Sequence, residues 1–206
     1  MKDTSLNKKD IQTYAKALLD FKKQYGLRDL PWRNTKNPYR ILVSEIMLQQ
    51  TQVPRVIEKY KIFLKNFPTV VDLARAPLRD VLALWSGLGY NRRAKFLQQC
   101  AISIANEYGG KFPKTIEMLE KLPGVGPYTA RAVAAFAYNT PSVLFETNIR
   151  TVFIHHFFPN QKEKIADGCE RMGEIVEKDR GHDWAGSEVR CCKRRQGLAG
   201  CRCRGP

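Results

Sequence analysis

An all-α fold is predicted from three observations. Apolar residues recur every three or four positions in one segment after another, the spacing of helices with one buried face. Helix starts and stops punctuate those segments: Asn37-Pro38, Thr69 with Asp72, Pro77, Gly26 and Gly109-Gly110. The third is the stretch Leu122-Pro123-Gly124-Val125-Gly126-Pro127-Tyr128-Thr129-Ala130, where two glycines one residue apart sit between two helical segments.

The 206 residues suffice for one domain, or a pair of intimately packed lobes, with a substantial core. A hydrophobic fraction of 43% is ordinary, but 35 Lys and Arg against 20 Asp and Glu give a net charge of +15. That excess argues for a polyanionic partner, nucleic acid before a membrane, because no apolar stretch is long enough to span a bilayer. A solvated basic surface is the plainer reading of the same charge. Met1 to Asp10 is polar and lacks the apolar core of a signal, so a cytoplasmic location is expected.

In chain order, Ile11, Tyr14, Ala15, Leu18 and Leu19 space a first helix, which Gly26 ends. The loop Leu27 to Asn37 contains Leu30-Pro31-Trp32-Arg33, an aromatic beside an arginine that either paves a base pocket or plugs a core; the residues alone favour the plug. Asn37 caps and Pro38 opens a helix read as running from Tyr39 to Gln52. Val56, Ile57, Tyr60, Phe63 and Leu64 make the next. Thr69 and Asp72 cap another ahead of Leu73. Pro77 opens one through Val81, Leu82 and Leu84 to Trp85, which stops at Gly87-Leu88-Gly89-Tyr90. An amphipathic helix spans Ala94 to Tyr108, with Cys100 read as core packing. A short helix around Thr115, Ile116, Met118 and Leu119 leads into the hairpin, and an Ala-rich helix follows from Pro127. After the apolar run Pro141 to Phe145, Glu146-Thr147-Asn148 begins a helix containing Ile149, Val152, Phe153, Phe157 and Phe158. His155-His156 has no carboxylate or cysteine at a ligand spacing and reads as structural.

Four features carry chemistry. Glu45 is flanked by Leu42, Val43, Ile46 and Met47, surroundings that strip hydration and are expected to raise its pKa, as in a general acid tuned to roughly 6–7. A buried glutamate paired with an arginine is an equally good reading. Helical spacing is expected to set Gln49 and Gln52 on the face of Glu45. Glu146, at a helix N-terminus, is expected to stay ionised by the dipole, with a plain cap as the alternative. Two acids in opposed environments suit acid/base or cation-stabilising chemistry. Tyr90, on a glycine-flanked tip before Arg92 and Arg93, is placed to stack on a base while the arginines meet phosphates. The glycine hairpin presents backbone amides to an anion such as DNA phosphate, an ordinary αα-corner being the alternative.

Leu30-Pro31-Trp32-Arg33, Ser44-Glu45-Ile46-Met47-Leu48-Gln49-Gln50-Thr51-Gln52-Val53, Trp85-Ser86-Gly87-Leu88-Gly89-Tyr90 and Leu122-Pro123-Gly124-Val125-Gly126 together carry a resemblance. From Leu30 to Phe158 the chain resembles the helix-hairpin-helix (HhH-GPD) DNA glycosylases, and within them the MutY-type adenine DNA glycosylases. The resemblance implies a two-lobed all-α fold. Residues 29–138 would form a six-helix barrel with the hairpin at 115–138, residues 1–28 and 139–185 a lobe from both termini, and 186–206 a basic tail. It implies that Glu45 protonates a flipped adenine, and that Leu122, Gly124, Val125 and Gly126 clamp a phosphate. Gln50 and Tyr90 would wedge the stack beside the extruded base. Trp32 and Arg33 would line the base pocket, and Gln49-Gln50-Thr51 favours adenine. Tyr128 stands where bifunctional relatives such as endonuclease III carry a nucleophilic lysine, so hydrolysis without lyase chemistry is implied. The partner implied is double-stranded DNA with adenine opposite 8-oxoguanine or guanine, bound by a monomer away from any membrane. A thymine or uracil mismatch glycosylase is the alternative.

Two departures from the family stand out. Its second acid is an aspartate followed by glycine and asparagine, whereas this chain reads Glu146-Thr147-Asn148. A displacement near 1 Å is enough to cost on the order of a hundredfold in rate, which keeps a catalytically impaired DNA-binding module among the readings. The second is the C-terminal stretch. Cys169, Cys191, Cys192, Cys201 and Cys203 reproduce no spacing of the family's iron–sulfur motif, so no cofactor and no metal site is expected. From Gly186 onward Arg190, Lys193, Arg194, Arg195, Arg202 and Arg204 stand against Glu188 without helical periodicity, as in a disordered basic arm; a metal knuckle and a frameshifted end are the other readings. With the chain ending at Pro206, no domain that reads 8-oxoguanine is expected in it.

Overall fold

Residues 8–26 and 29–142, with 144, 148, 151, 152 and 155, are described by the computed structural model, and among them regular structure is helical throughout. The helices are α1 (Lys8–Tyr25), α2 (Pro38–Leu48), α3 (Val53–Asn66), α4 (Val70–Arg75), α5 (Leu78–Trp85), α6 (Arg92–Glu107), α7 (Ile116–Glu120) and α8 (Pro127–Tyr138). All eight belong to one unit, and residues 144, 148, 151, 152 and 155 belong to a second. No described helix is long and apolar enough to cross a membrane.

The starts fall where local chemistry puts them. The Asn37 side chain accepts from the amides of Tyr39 and Arg40, and Pro38 occupies the first turn of α2. Thr69 and Asp72 form a reciprocal capping box on α4, their side chains each accepting the other's amide at 3.2 and 3.0 Å. Gly26, at φ 68°, closes α1 with a 2.9 Å bond to Lys22 O. Of the apolar stripe expected on α1, Ala15 is buried while Leu18 and Leu19 are exposed.

The core lies between α2 and the helices around it. Ile41, Leu42, Ile46 and Met47 meet Phe63, Leu73, Trp85, Leu97, Ile104 and Leu119, and Phe63 takes Phe67 and Trp85 edge-on. Tyr39 Oη donates to Phe67 O at 2.8 Å, and burial holds this phenol above its ordinary pKa. Gln98 Nε2 donates to Ala76 O at 2.6 Å and so ties α6 to the end of α4. Cys100 is buried in α6 and its thiol is pushed up to about 12, as a packing residue requires.

One expected element is shorter. α2 stops at Leu48 and not at Gln52; Gln49, Gln50 and Thr51 form a turn, and Gln52 is the N-cap of α3. Pro54 explains the break. In a continuous helix its ring would strike the carbonyl of Gln50, four residues earlier, and its missing amide would leave that carbonyl without a donor.

Candidate functional site

Glu45 lies on the buried side of α2 at 5% exposure, beside Ser44, whose Oγ donates to Ile41 O at 2.7 Å. α2 packs against α8, whose first turn carries half-buried Tyr128. Glu146 lies outside the described residues, as do Cys169 and the cysteines of the tail. Asn148 is exposed and helical in the second unit. Among the described residues no group of His, Cys, Asp and Glu is placed to hold a metal ion.

The end of α2 departs from the arrangement expected of it. With the helix stopped at Leu48, Gln49 and Gln52 do not continue the Glu45 face. Gln49 and Gln50 instead project from a tight exposed turn, and Gln50 takes φ 54°. The Gly87–Tyr90 loop takes a related form, with Gly87 at φ 87°, Gly89 at φ 72° and Tyr90 at φ 50°. Tyr90 is 65% exposed at its tip, as the sequence predicts, while Leu88 anchors the loop in the core. Apart from these two, the described non-glycine residue at positive φ is Asn139, the C-cap of α8, where Asn is at home. Strain in a glutamine and a tyrosine therefore marks the two loops.

Arg93, expected to meet phosphates, is engaged by the protein instead. Its Nη1 donates to Ile46 O at 2.9 Å, Met47 O at 3.1 Å and Gln49 O; its Nη2 donates to Leu88 O at 2.9 Å, Gly89 O at 3.1 Å and Thr51 Oγ1 at 3.1 Å. The guanidinium also lies 5.6 Å from the Trp85 ring and 5.5 Å from the Tyr90 ring. Burial lowers its pKa, the neighbouring Tyr90 opposing that shift. Thr51 is drawn into the same knot, its Oγ1 lying 3.3 Å from both Gln49 O and Leu88 O. Arg92 remains exposed, its guanidinium 5.0 Å from the Phe96 ring. Arg55 and Arg79 line an open hollow of about 850 Å³ with Gln50, Ser86 and Tyr90. Neither arginine carries a sequence signal, since each is an ordinary exposed position of an amphipathic helix.

The hairpin forms as read. Thr115 caps α7, Val125 N donates to Leu122 O at 3.1 Å, and Gly126 is the N-cap of α8. Leu122 and Val125 are buried and anchor the turn, leaving Gly124 and Gly126 as its exposed members. The first amides of α8 have no intrahelical acceptor, so they face outward with the positive end of the dipole. Gly124 is required twice over: it stands at φ 74°, and a Cβ there would lie 2.5 Å from Phe96 Cβ. In the 30–33 loop Trp32 is 7% exposed within the core, 5.5 Å from the Tyr60 ring and edge-on to it. That is the plug the residues favoured. Arg33 beside it is half-buried.

Comparison with known proteins gives a consistent result. Residues 43–175 match the model of the HhH-GPD superfamily base excision DNA repair proteins. The adenine DNA glycosylase of Buchnera aphidicola subsp. Baizongia pistaciae is 40% identical over 154 residues, covering 75% of this chain and 44% of that protein. That of Mycobacterium tuberculosis is 49% identical over 130 residues, covering 63% and 43%. The match thus spans less than half the length of these relatives. Among solved structures, a thermostable thymine-DNA glycosylase superposes with TM-score 0.71 at 26% identity over 91% of this chain and 90% of that one. An endonuclease III trapped as a covalent intermediate with DNA gives TM-score 0.72 at 22% identity over 93% and 91%, a likeness of fold.

Proposed function

This chain belongs to the HhH-GPD superfamily of base excision DNA repair proteins, and from that premise we propose that it is a monofunctional DNA glycosylase removing adenine opposite 8-oxoguanine or guanine. The observation that carries the reading is Glu45: a carboxylate at 5% exposure on α2, the helix whose end leads straight into the exposed, strained Gln50. A carboxylic acid held on this helix can supply the proton that a leaving base needs. Double-stranded DNA is the substrate, gripped at phosphates by the hairpin around Gly124 and Gly126 and opened by Gln50 and Tyr90. Glu45 gives its proton to the extruded adenine. The bond from sugar to base breaks with its electron pair going to the base, and water adds to the cationic sugar, its released proton restoring the acid form of Glu45. Stabilising that cation is the role the resemblance gives to Glu146 and Asn148. Tyr128 cannot form a Schiff base, so the abasic product is left uncleaved. Trp32, plugged into the core edge-on to Tyr60, backs the base pocket from behind, with half-buried Arg33 beside it.

The test incubates the full chain with duplexes bearing adenine opposite 8-oxoguanine, adenine opposite guanine, and thymine opposite guanine, followed by alkali. Strand scission in the first two is expected. Scission in the third alone moves the assignment to a thymine or uracil mismatch glycosylase, the reading favoured by the 26% likeness to a thymine-DNA glycosylase. Duplex binding with no abasic product from any substrate leaves a DNA-binding module, and points at Glu146, where the family carries aspartate. Glu146→Asp should then restore activity. The reading includes a monomer and no iron–sulfur cluster, on the spacing of the cysteines; iron found by metal analysis of purified protein overturns that part.

A further inference from the structure

The acceptors of Arg93 are distributed in a particular way. A cap for α2 needs only Ile46 O and Met47 O, carbonyls of its last turn without intrahelical donors. The other bonds reach the carbonyls of Gln49 and Gly89, each belonging to the residue immediately before a strained one. The peptide planes that precede Gln50 and Tyr90 are therefore both fixed to one planar cation, and with them the directions in which the two exposed side chains leave the backbone. Thr51 Oγ1 and Leu88 O complete the tie between the turn after α2 and the loop after α5.

We infer that Arg93 is a positioning residue that locks Gln50 and Tyr90 into one rigid two-pronged element, so that they enter a duplex together when a nucleotide is extruded. The inference rests on the glycosylase reading for its setting. Lysine cannot replace the arginine: a single ammonium has no planar fork to span two loops, although it keeps the charge and the stem.

The experiment places 2-aminopurine, whose fluorescence rises when it leaves the base stack, at the target position of a guanine-paired duplex. Arg93→Lys is made in the wild-type chain and in the Gln50→Ala/Tyr90→Ala background, with thermal melting as the check on folding. Arg93→Lys is expected to bind the duplex as wild type does, but to slow the fluorescence rise and single-turnover excision by about 100-fold, as an ångström of misplacement does. In the prong-less background the same substitution should change the fluorescence rate by less than about twofold, because residues acting as a unit are not additive. An equal loss in both backgrounds overturns the inference, since a residue that only supports the fold acts whether or not the prongs are present. An unchanged rate in the wild-type background overturns it too, as does wild-type protein that binds without any rise. Should Arg93→Lys fail to fold, Thr51→Val is read through the same cycle with the same criteria. A wild-type fluorescence rise without excision of any base sinks the assigned activity and leaves the locking role to be read from fluorescence.

Discussion

The hairpin between α7 and α8 and the pair of loops at Gln50 and Tyr90 both expose a turn above buried anchors, yet they are held by different means. In the hairpin the constraint is local. Gly124 supplies the positive φ without strain, Leu122 and Val125 close the turn on themselves, and Pro127 starts the next helix within a few residues. In the paired loops a glutamine and a tyrosine occupy backbone conformations that glycine would take more easily, and a guanidinium from a third element holds them there. The difference teaches that a turn presenting backbone amides can be relaxed, whereas one presenting a side chain must keep that side chain and bear the strain.

The largest effect is expected beneath both regions and separates their grip from the chemistry. Glu45→Gln should lower single-turnover excision by about 10²- to 10⁴-fold, the usual contribution of a general acid, with duplex affinity unchanged. A matching loss of affinity would mean that Glu45 holds the loops and is not the acid.

Next comes the hairpin itself. Gly124→Ala places a Cβ against Phe96 at a position of φ 74°, and should destabilise the protein by about 3 kcal/mol through combined backbone strain and overpacking, read from urea unfolding. An unaltered midpoint would show that neither the positive φ nor the close approach to Phe96 demands glycine at this position.

The paired loops should respond with the opposite sign. Tyr90→Gly and Gln50→Gly each relieve a positive φ and should raise stability by about 1 kcal/mol while lowering extrusion of 2-aminopurine. A loss of stability in both would remove the contrast drawn here. The smallest effect belongs to Asn139→Gly, expected within about 0.5 kcal/mol of wild type because Asn tolerates the left-handed region at a helix end. If it matched the gain at Tyr90, positive φ alone and not the identity of the residue would account for both.

By itself the sequence determined the existence of α1 to α8, the caps that start α2 and α4, the glycine hairpin and the burial of Glu45. Asn37-Pro38, Thr69 with Asp72, and Gly26 act on amides and carbonyls within four residues, and Glu45 is flanked by the residues that bury it. Pro54, four residues after Gln50, is the sequence signal for the turn at Gln49–Thr51, which the apolar spacing of α2 does not show. Only the tertiary structure decided what Arg93 does. Its acceptors on Ile46 and Met47 lie 47 and 46 residues away, and they come within reach of one guanidinium only because the core packs α2, α5 and α6 together. In sequence it is one of two adjacent arginines after a glycine-rich tip, equally fit to meet a phosphate. A flexible cation takes whichever oxygen the fold brings nearest, and that distance is set by packing, not by neighbours along the chain.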